Sequence, residues 1–199
     1  MITPNHPPLI YLASRSPRRV ELLKQIGIRC EILPADIDET PLQNETPNDY
    51  VVRLARQKAE ACLDNAVVIT KPLAIIAADT TVELDGIVLG KPENDADASR
   101  MLQSLSGRVH QVHTAVSLAW QGKIEVILST TKVELMPLSS AQIEAYIRTG
   151  EPHDKAGSYG IQGRAGAWIK RIEGSYTGVM GLPVFETAQL LRTKGLAVM

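Results

Sequence analysis

The chain has 199 residues, and its 21 Lys and Arg against 22 Asp and Glu give a formal net charge of −1. This length favours one domain, and 44% hydrophobic with 22% charged residues is typical of a globular protein and excludes wholesale disorder. The near-neutral balance excludes a broadly basic surface that would grip a nucleic-acid backbone, so an anionic ligand must be caught by a few placed charges.

The first third of the chain predicts strands and helices in alternation. Each strand is a short apolar run, and each helix begins after a capping residue, Ser16 or Thr46, and carries apolar residues at helical spacing. In order, these elements are a strand over Leu9–Ser14, a helix from Pro17 to a stop at Gly27, a strand over Cys30–Leu33, and a helix from Pro47 to about Leu63.

A β-hairpin is predicted next. The buried run Leu73–Leu84 ends at the dipeptide Asp85-Gly86, which is typical of a two-residue turn into a return strand. In that register Thr80 faces Lys91, and Lys91 therefore lies beside Asp79.

The rest of the sequence predicts three more helices and three more strands. They are a helix from Asn94 to Gly107, strands over Val112–Trp120 and Ile124–Leu135, a short helix from Ser139 to Gly150, a strand over Ala167–Ile172, and a helix over Pro183–Lys194. Helices that alternate with both lone strands and hairpins favour an α/β fold. We therefore expect a single domain with a mixed, twisted β-sheet flanked by helices.

Two arginines stand in the first turn of the first helix, where acidic residues are usually preferred. Arg18 and Arg19 come directly after a strand and after the hydroxyls of Ser14 and Ser16. A phosphate or similar anion at the helix N-terminus would account for all four side chains. The alternative is that both arginines extend to solvent or pair with a surface acid.

Three further charged residues occupy unusual positions. Lys58 lies on the apolar stripe of the second helix, so it must reach solvent, an acid or a ligand. Asp79 directly follows the strongly apolar run Leu73–Ala78, at the carboxyl end of an apolar strand, where α/β proteins tend to place ligands. A structural ion pair with Lys91 is the alternative. Glu39 lies in an acidic loop that could simply be solvated, but with Asp79 it offers the hard oxygen ligands that Mg²⁺ prefers.

The segment Glu151–Gly166 is rich in glycine, which lets backbone approach a ligand closely. Its glycines recur at every third residue, at Gly157, Gly160, Gly163 and Gly166. Gln162 has a donor and an acceptor suited to the edge of a nucleobase, and Lys155 precedes it. The segment matches neither a Walker A motif nor a dinucleotide fingerprint, and an ordinary surface loop is the alternative. Together, the charges and this segment suit a polyphosphate attacked in line by water.

The chain shows no signal for secretion or for a membrane. Met1–Pro8 lacks the features of a signal peptide, and we expect a flexible tail there, before a domain over residues 9–199. No apolar run approaches the ~20 residues of a membrane helix. Cys30 and Cys62 have neither disulfide-framework nor metal-ligand spacing. We therefore expect a cytoplasmic protein with reduced thiols and with neither long nucleic acid nor a membrane as a partner.

Several motifs in this order resemble the Maf-like nucleoside triphosphate pyrophosphatases. They read ASRSPRR at residues 13–19, ADT at 78–80, GKP at 90–92 and DKAGSYGIQG at 154–163, and GSY at 174–176 and GLP at 181–183 also fit. The resemblance implies a Maf/ITPase-like fold, a homodimer, and hydrolysis of a nucleoside triphosphate to monophosphate and pyrophosphate with Mg²⁺ or Mn²⁺. The SPRR and IQG runs resemble the dTTP/UTP branch, with modified pyrimidine nucleotides as further substrates.

The resemblance also implies roles for single residues. Asp79 matches the proton acceptor, and Glu39 with Asp79 matches the metal ligands. The substrate-selecting positions are matched by Arg18, Thr80 and Gln162. The remaining catalytic or phosphate-binding positions are matched by Glu39, Lys58 and Lys91. The alternative function, which the family's name suggests, is a nucleotide-binding regulator of septum formation whose hydrolysis is incidental.

Overall fold

A computed structural model describes residues 9–196, so the tail expected at residues 1–8 lies outside the described part of the chain. The strands are β1 Leu9–Leu12, β2 Arg29–Ile32, β3 Ile75–Leu84, β4 Ile87–Leu89, β5 Val109–Trp120, β6 Lys123–Leu135 and β7 Ile169–Glu173. The helices are α1 Pro17–Gln25, α2 Pro47–Leu63, α3 Ala66–Thr70, α4 Asp95–Leu105, α5 Ser140–Ile147, α6 Tyr176–Met180 and α7 Val184–Arg192. Short 3₁₀ turns cover Glu151–Asp154, Ala156–Ser158 and Arg164–Trp168.

The strands form one seven-stranded sheet in the order β2-β1-β3-β5-β6-β7, with β4 paired to β3. β1 is parallel to β2 and β3, whereas the pairs from β3 through β7 are antiparallel. The parallel pair β1–β2 is joined through α1, as a parallel connection requires, and β5 returns directly into β6. The predicted α/β fold with a mixed sheet is confirmed. The helices α3 and α6 were not predicted, because five residues are too few to show a helical stripe.

The hairpin of β3 and β4 has the predicted register over its first pairs, with Leu84 opposite Ile87 and Val82 opposite Leu89. The ladder then ends, and the carbonyl of Gly90 accepts a hydrogen bond of 3.0 Å from the Gly157 N–H instead. The predicted pairing of Thr80 with Lys91 is therefore wrong, and the ion pair of Asp79 is made with Lys58 and not with Lys91.

Each face of the sheet is covered by different helices. On one face α2 packs through Val51 and Ala55 against Ala115 of β5. On the other face α1 and α7 cover the first strands, and α4 and α5 cover the β3–β5–β6 end. Since side chains alternate along a strand, Asp79, which pairs with Ala115, projects towards α2. Among residues 9–196, no helix is both long and apolar enough to cross a membrane.

Gly157 is the glycine whose packing is tightest against the hairpin. Its φ is +68°, and an added Cβ would lie 2.9 Å from a methyl group of Val82. We expect Gly157→Ala to lower the free energy of unfolding by about 1–3 kcal/mol, because strain and overpacking add. Urea denaturation measures this change. The matched control is Gly90→Ala, whose Cβ would meet nothing within 4 Å. Equal stability of the two variants would contradict the packing at Gly157.

Candidate active site

A cavity of about 650 Å³ opens beside β3. β1 ends at Leu12, opposite Ile76, while β3 continues to Leu84, so the second half of β3 has no neighbour on that side other than the short β4. Loops after β1 and β2 and the glycine-rich segment surround the opening. Every predicted site residue lines this cavity, namely Ser14, Ser16, Arg18, Arg19, Glu39, Lys58, Asp79, Thr80, Lys91, Lys155 and Gln162.

Three of these residues form an ionic centre at the floor of the cavity. The Lys58 ammonium lies 2.6 Å from Asp79 Oδ1 and 2.7 Å from Glu39 Oε1. Lys58 and Asp79 are buried, at 9% and 7% exposed, whereas the Glu39 side chain is half exposed. The stripe of α2 directs Lys58 onto the sheet face that carries Asp79, and the loop after β2 brings Glu39 to the same nitrogen. The Lys58 ammonium therefore serves as the counter-ion of two carboxylates.

Burial is the main influence on Asp79 and raises the pKa of its carboxyl above the usual range. The positive charges of Lys58 and Arg19 work against this rise, and the negative charge of Glu39 adds to it. A carboxylate with a raised pKa accepts a proton more readily than an exposed aspartate does. Asp79 thus has the chemistry of a general base inside a cleft.

Arg19 is held in place by groups from three parts of the chain. Its Nε donates to the Gly181 carbonyl at 2.8 Å, one Nη to Ser14 Oγ at 3.1 Å, and the other Nη to Thr80 Oγ1 at 3.3 Å. Thr80 Oγ1 in turn lies 3.0 Å from Thr114 Oγ1. Neither solvent nor a surface acid takes the Arg19 guanidinium, so the alternative for this residue does not hold.

Arg18 pairs with an acidic residue at the cavity mouth, which is the alternative that the sequence left open for the two arginines. One Arg18 Nη lies 3.0 Å from Asp154 Oδ2, and the Lys155 ammonium lies 2.5 Å from Asp154 Oδ1. Asp154 is itself exposed, so a phosphate entering the cavity could replace it as the partner of both cations. Sequence reasoning missed this role of Asp154, although its place next to Lys155 was a signal.

The start of α1 offers further hydrogen-bond donors to an anion. Ser16 is the N-cap, but its side chain makes no capping hydrogen bond, and the first turn of α1 contains no acidic residue. Ser14 Oγ instead accepts from the Ser16 N–H at 3.1 Å. An uncapped helix start next to Arg18 and Arg19 suits an anionic group, as expected from the sequence.

Two predicted residues lie at the rim of the cavity. Lys91 follows β4, is exposed, and forms no ion pair within residues 9–196. Gln162 is also exposed, on the segment between two 3₁₀ turns. The structure therefore does not bring Lys91 to Asp79, but it keeps both rim side chains available to a ligand.

The loop that carries Glu39 is tied to α2 by residues that sequence reasoning missed. The Tyr50 hydroxyl donates to the Glu39 carbonyl at 3.0 Å. The Arg53 guanidinium binds both oxygens of Glu45, at 2.6 and 2.7 Å, and the Thr40 carbonyl at 3.2 Å. The spacing of Tyr50 and Arg53, three residues apart on one helix face, was the available signal.

Two carboxylates, Glu39 and Asp79, are the candidate metal ligands of the cavity. Over the described range, no group of three or more His, Cys, Asp and Glu is placed to hold a metal ion. Glu39 and Asp79 nevertheless direct one oxygen each at a single positive charge. Two such carboxylates are what Mg²⁺ commonly takes from a protein when substrate phosphates supply the other ligands.

Comparison with known proteins places residues 9–194 within the model of a family described as Maf-like protein. A dTTP/UTP pyrophosphatase of Methylobacillus flagellatus is 58% identical, over 95% of this chain and 94% of the relative. A dTTP/UTP pyrophosphatase of Nitrosomonas europaea is 54% identical, over 95% of this chain and 96% of the relative. Among solved structures, the Staphylococcus aureus Ham1 protein matches with a TM-score of 0.43 and 18% identity, over 64% of this chain and 71% of that chain.

Proposed function

Since this chain belongs to the Maf-like protein family, we propose that it is a hydrolase that converts dTTP and UTP to the nucleoside monophosphate and pyrophosphate. The names of relatives at more than 50% identity support this activity, and they favour an enzyme over a regulator of septum formation. The observation that carries the proposal is the buried Asp79 carboxylate, which shares the Lys58 ammonium with Glu39 inside a cavity rimmed by cations.

Asp79 is the proton acceptor in the proposed reaction. Its carboxylate takes a proton from a water molecule as the water oxygen attacks the α-phosphorus. The bond from the α-phosphorus to the bridging oxygen breaks, and pyrophosphate leaves with that electron pair. Asp79 then releases the proton to solvent. The reaction consumes one water and needs no covalent intermediate.

The cations of the cavity bind and orient the triphosphate. Arg19, already fixed by Ser14 and Thr80, offers a preorganised guanidinium, which loses little freedom when a phosphate arrives. Arg18 and Lys155 exchange Asp154 for phosphate oxygens, and Lys91 reaches in from the rim. This positioning supplies most of the catalysis in a phosphoryl transfer of this kind.

Glu39 and Asp79 are the residues that would hold a divalent cation, Mg²⁺ or Mn²⁺. The Lys58 nitrogen lies within 2.7 Å of one oxygen of each residue and so brings the two carboxylates together, and carboxylate oxygens are the ligands that Mg²⁺ takes from a protein. When bound, the ion would neutralise phosphate charge and polarise the reacting phosphoryl group. Lys58 keeps the two carboxylates together and balances their charge.

Gln162, Thr80 and Arg18 are the proposed selecting residues. Gln162 presents a donor and an acceptor to the edge of a pyrimidine. Thr80 lies against the Arg19 guanidinium, and Arg18 lies at the cavity mouth beside Asp154. From the family resemblance we also propose that the protein is a cytoplasmic homodimer.

A panel of nucleoside triphosphates tests the proposed function. With Mg²⁺ or Mn²⁺ present, we expect pyrophosphate release from dTTP and UTP with kcat/KM at least about tenfold above that for dATP and GTP. The panel should include modified pyrimidine nucleotides. Binding of dTTP without turnover would contradict the enzyme and favour the regulator.

The raised pKa of Asp79 predicts the pH dependence of the reaction. A base works in its deprotonated form, so kcat/KM falls as the pH drops through the pKa of Asp79. We expect this fall at a pH above the ordinary aspartate pKa of about 3.9. The matched variant is Lys58→Gln, which removes a positive charge that lowers the pKa of Asp79. The fall in kcat/KM should therefore move to still higher pH. Ionisation of dTTP itself is the same in both assays and does not contribute to this difference. Identical profiles for the two proteins would contradict the assignment.

A further inference from the structure

Two side chains that precede the glycine-rich loop hold its backbone in place, Tyr146 of α5 and Glu151 of the first 3₁₀ turn. Glu151 Oε1 accepts a hydrogen bond of 2.9 Å from the Tyr146 hydroxyl. Both Glu151 carboxylate oxygens accept from the Arg164 N–H, at 3.1 and 3.2 Å. The Tyr146 hydroxyl in turn accepts from the Gly160 N–H at 3.1 Å. Glu151 and Tyr146 thus fix the backbone on both sides of Gln162.

One glycine of this segment, Gly163, leaves the space that the Glu151 carboxylate fills. A Cβ on Gly163 would lie 1.9 Å from Glu151 Oε1, whereas a Cβ on Gly160 would first meet the Lys155 side chain, at 2.7 Å. Tyr146 is buried, and burial is the main cause that raises the pKa of its hydroxyl, so the phenol keeps the proton that it donates to Glu151. The absence of a side chain at Gly163 therefore matches the position of the Glu151 carboxylate.

We propose that Glu151 and Tyr146 are positioning residues that set nucleobase selection by holding residues 160–164 so that Gln162 faces the cavity. The proposal rests on the proposed role of Gln162 in reading the base. The Gln162 side chain is exposed and makes no hydrogen bond to the part of the chain that the structure describes, so only its backbone fixes its place. Without the Glu151 carboxylate, the Arg164 N–H loses its acceptor and the segment gains freedom.

The test compares selection by variants, measured as the ratio of kcat/KM for dTTP to that for GTP. We expect Glu151→Ala to lower this ratio to within about threefold of the ratio shown by Gln162→Ala. The KM for dTTP should rise about tenfold, because the base contact must be ordered on binding, while kcat stays within about threefold. The matched control is Glu144→Ala, an exposed position on α5, which should match the wild type.

A double variant separates this role from a general loss of structure. If Glu151 acts through Gln162, Glu151→Ala combined with Gln162→Ala should select no worse than Gln162→Ala alone. If Gln162→Ala selects normally, the base-reading role and the positioning role both fail. If Gln162→Ala loses selection but Glu151→Ala does not, the positioning role alone is wrong.

Two measurements remain decisive if Glu151→Ala does not fold. Glu151→Gln keeps an oxygen that can accept from Tyr146 and Arg164, so its selection ratio should stay within about threefold of the wild type. In the wild-type protein without nucleotide, the Gly160 and Arg164 amides should be protected from hydrogen exchange. Rapid exchange at both amides, or loss of selection in Glu151→Gln equal to that in Gln162→Ala, would overturn the proposal.

Discussion

Asp79→Asn is expected to lower kcat for dTTP hydrolysis by roughly 10²–10⁴-fold, the contribution of a positioned general base. The amide has nearly the same size and shape as the carboxylate, so the cavity keeps its form. It cannot accept the proton of the attacking water at neutral pH. Binding of dTTP should survive, because Arg18, Arg19 and Lys155 still meet the phosphates. Single-turnover kinetics together with nucleotide binding by calorimetry measure the two effects separately.

The control for this variant is Asp85→Asn in the turn between β3 and β4. Asp85 has a φ of +53°, and asparagine is favoured at such a turn position. The variant weakens an exposed ion pair with Arg108, which costs at most about 1 kcal/mol of stability, and kcat should remain at the wild-type value. Wild-type kcat in Asp79→Asn would contradict the assignment of Asp79 as the base. Loss of both binding and folding would assign the carboxyl a structural role instead.

Lys58→Gln is expected to have the second largest effect, a loss in kcat/KM of roughly 10²–10³-fold, as for removal of one preorganised electrostatic group. The ammonium lies within 2.7 Å of both Glu39 and Asp79. Without it, the buried Asp79 carboxylate has no counter-ion beside the half-exposed Glu39 carboxylate, and the two move apart or one of them takes up a proton. Either outcome removes the base or a metal ligand. Steady-state kinetics at several pH values measure the loss.

The matched control lies on the same helix. Arg56 occupies the exposed face of α2, two residues before Lys58, so Arg56→Gln removes a positive charge without touching the cavity. This variant should keep wild-type kcat/KM within about threefold, as surface substitutions usually do. Equal losses in the two variants would mean that the general field of α2, and not the contact of Lys58 with the carboxylates, carries the effect.

Local patterns predicted most of the elements and singled out many residues of the cavity, whereas Thr80 and the separate role of each residue came from the family resemblance. Lys58 was predicted as a site residue because a lysine on an apolar helical stripe needs a polar partner. Asp79 was predicted as one because a carboxylate directly after an apolar strand is unusual without a ligand or an ion pair. The first pairs of the β3–β4 hairpin followed from its turn residues alone. Each of these signals lies within about twelve residues of sequence, the scale on which periodicity and turn chemistry act.

Contacts between distant segments could not be predicted in the same way. The Lys91 prediction failed because the ladder ends at the pair Val82–Leu89. After it, the Gly90 carbonyl accepts from the Gly157 N–H, sixty-seven residues further along the chain, a contact that no local pattern encodes. Arg18 meets Asp154 across 136 residues, and no spacing encodes that pair. The meeting of Glu39 with Asp79 depends on a loop whose path is fixed by Tyr50 and Arg53, so two acidic residues in sequence did not reveal it.

The fate of the attacking oxygen tests the central claim most directly. Wild-type protein hydrolyses dTTP with a divalent cation in water enriched in the heavy oxygen isotope, and mass spectrometry follows both products. Attack on the α-phosphorus, with Asp79 as the proton acceptor, predicts one heavy oxygen in dTMP and none in pyrophosphate, and no label above background with Asp79→Asn over the same time. Heavy oxygen in pyrophosphate would place the attack at the β-phosphorus and contradict the account. Formation of dTDP and inorganic phosphate would place the attack at the γ-phosphorus and contradict it equally.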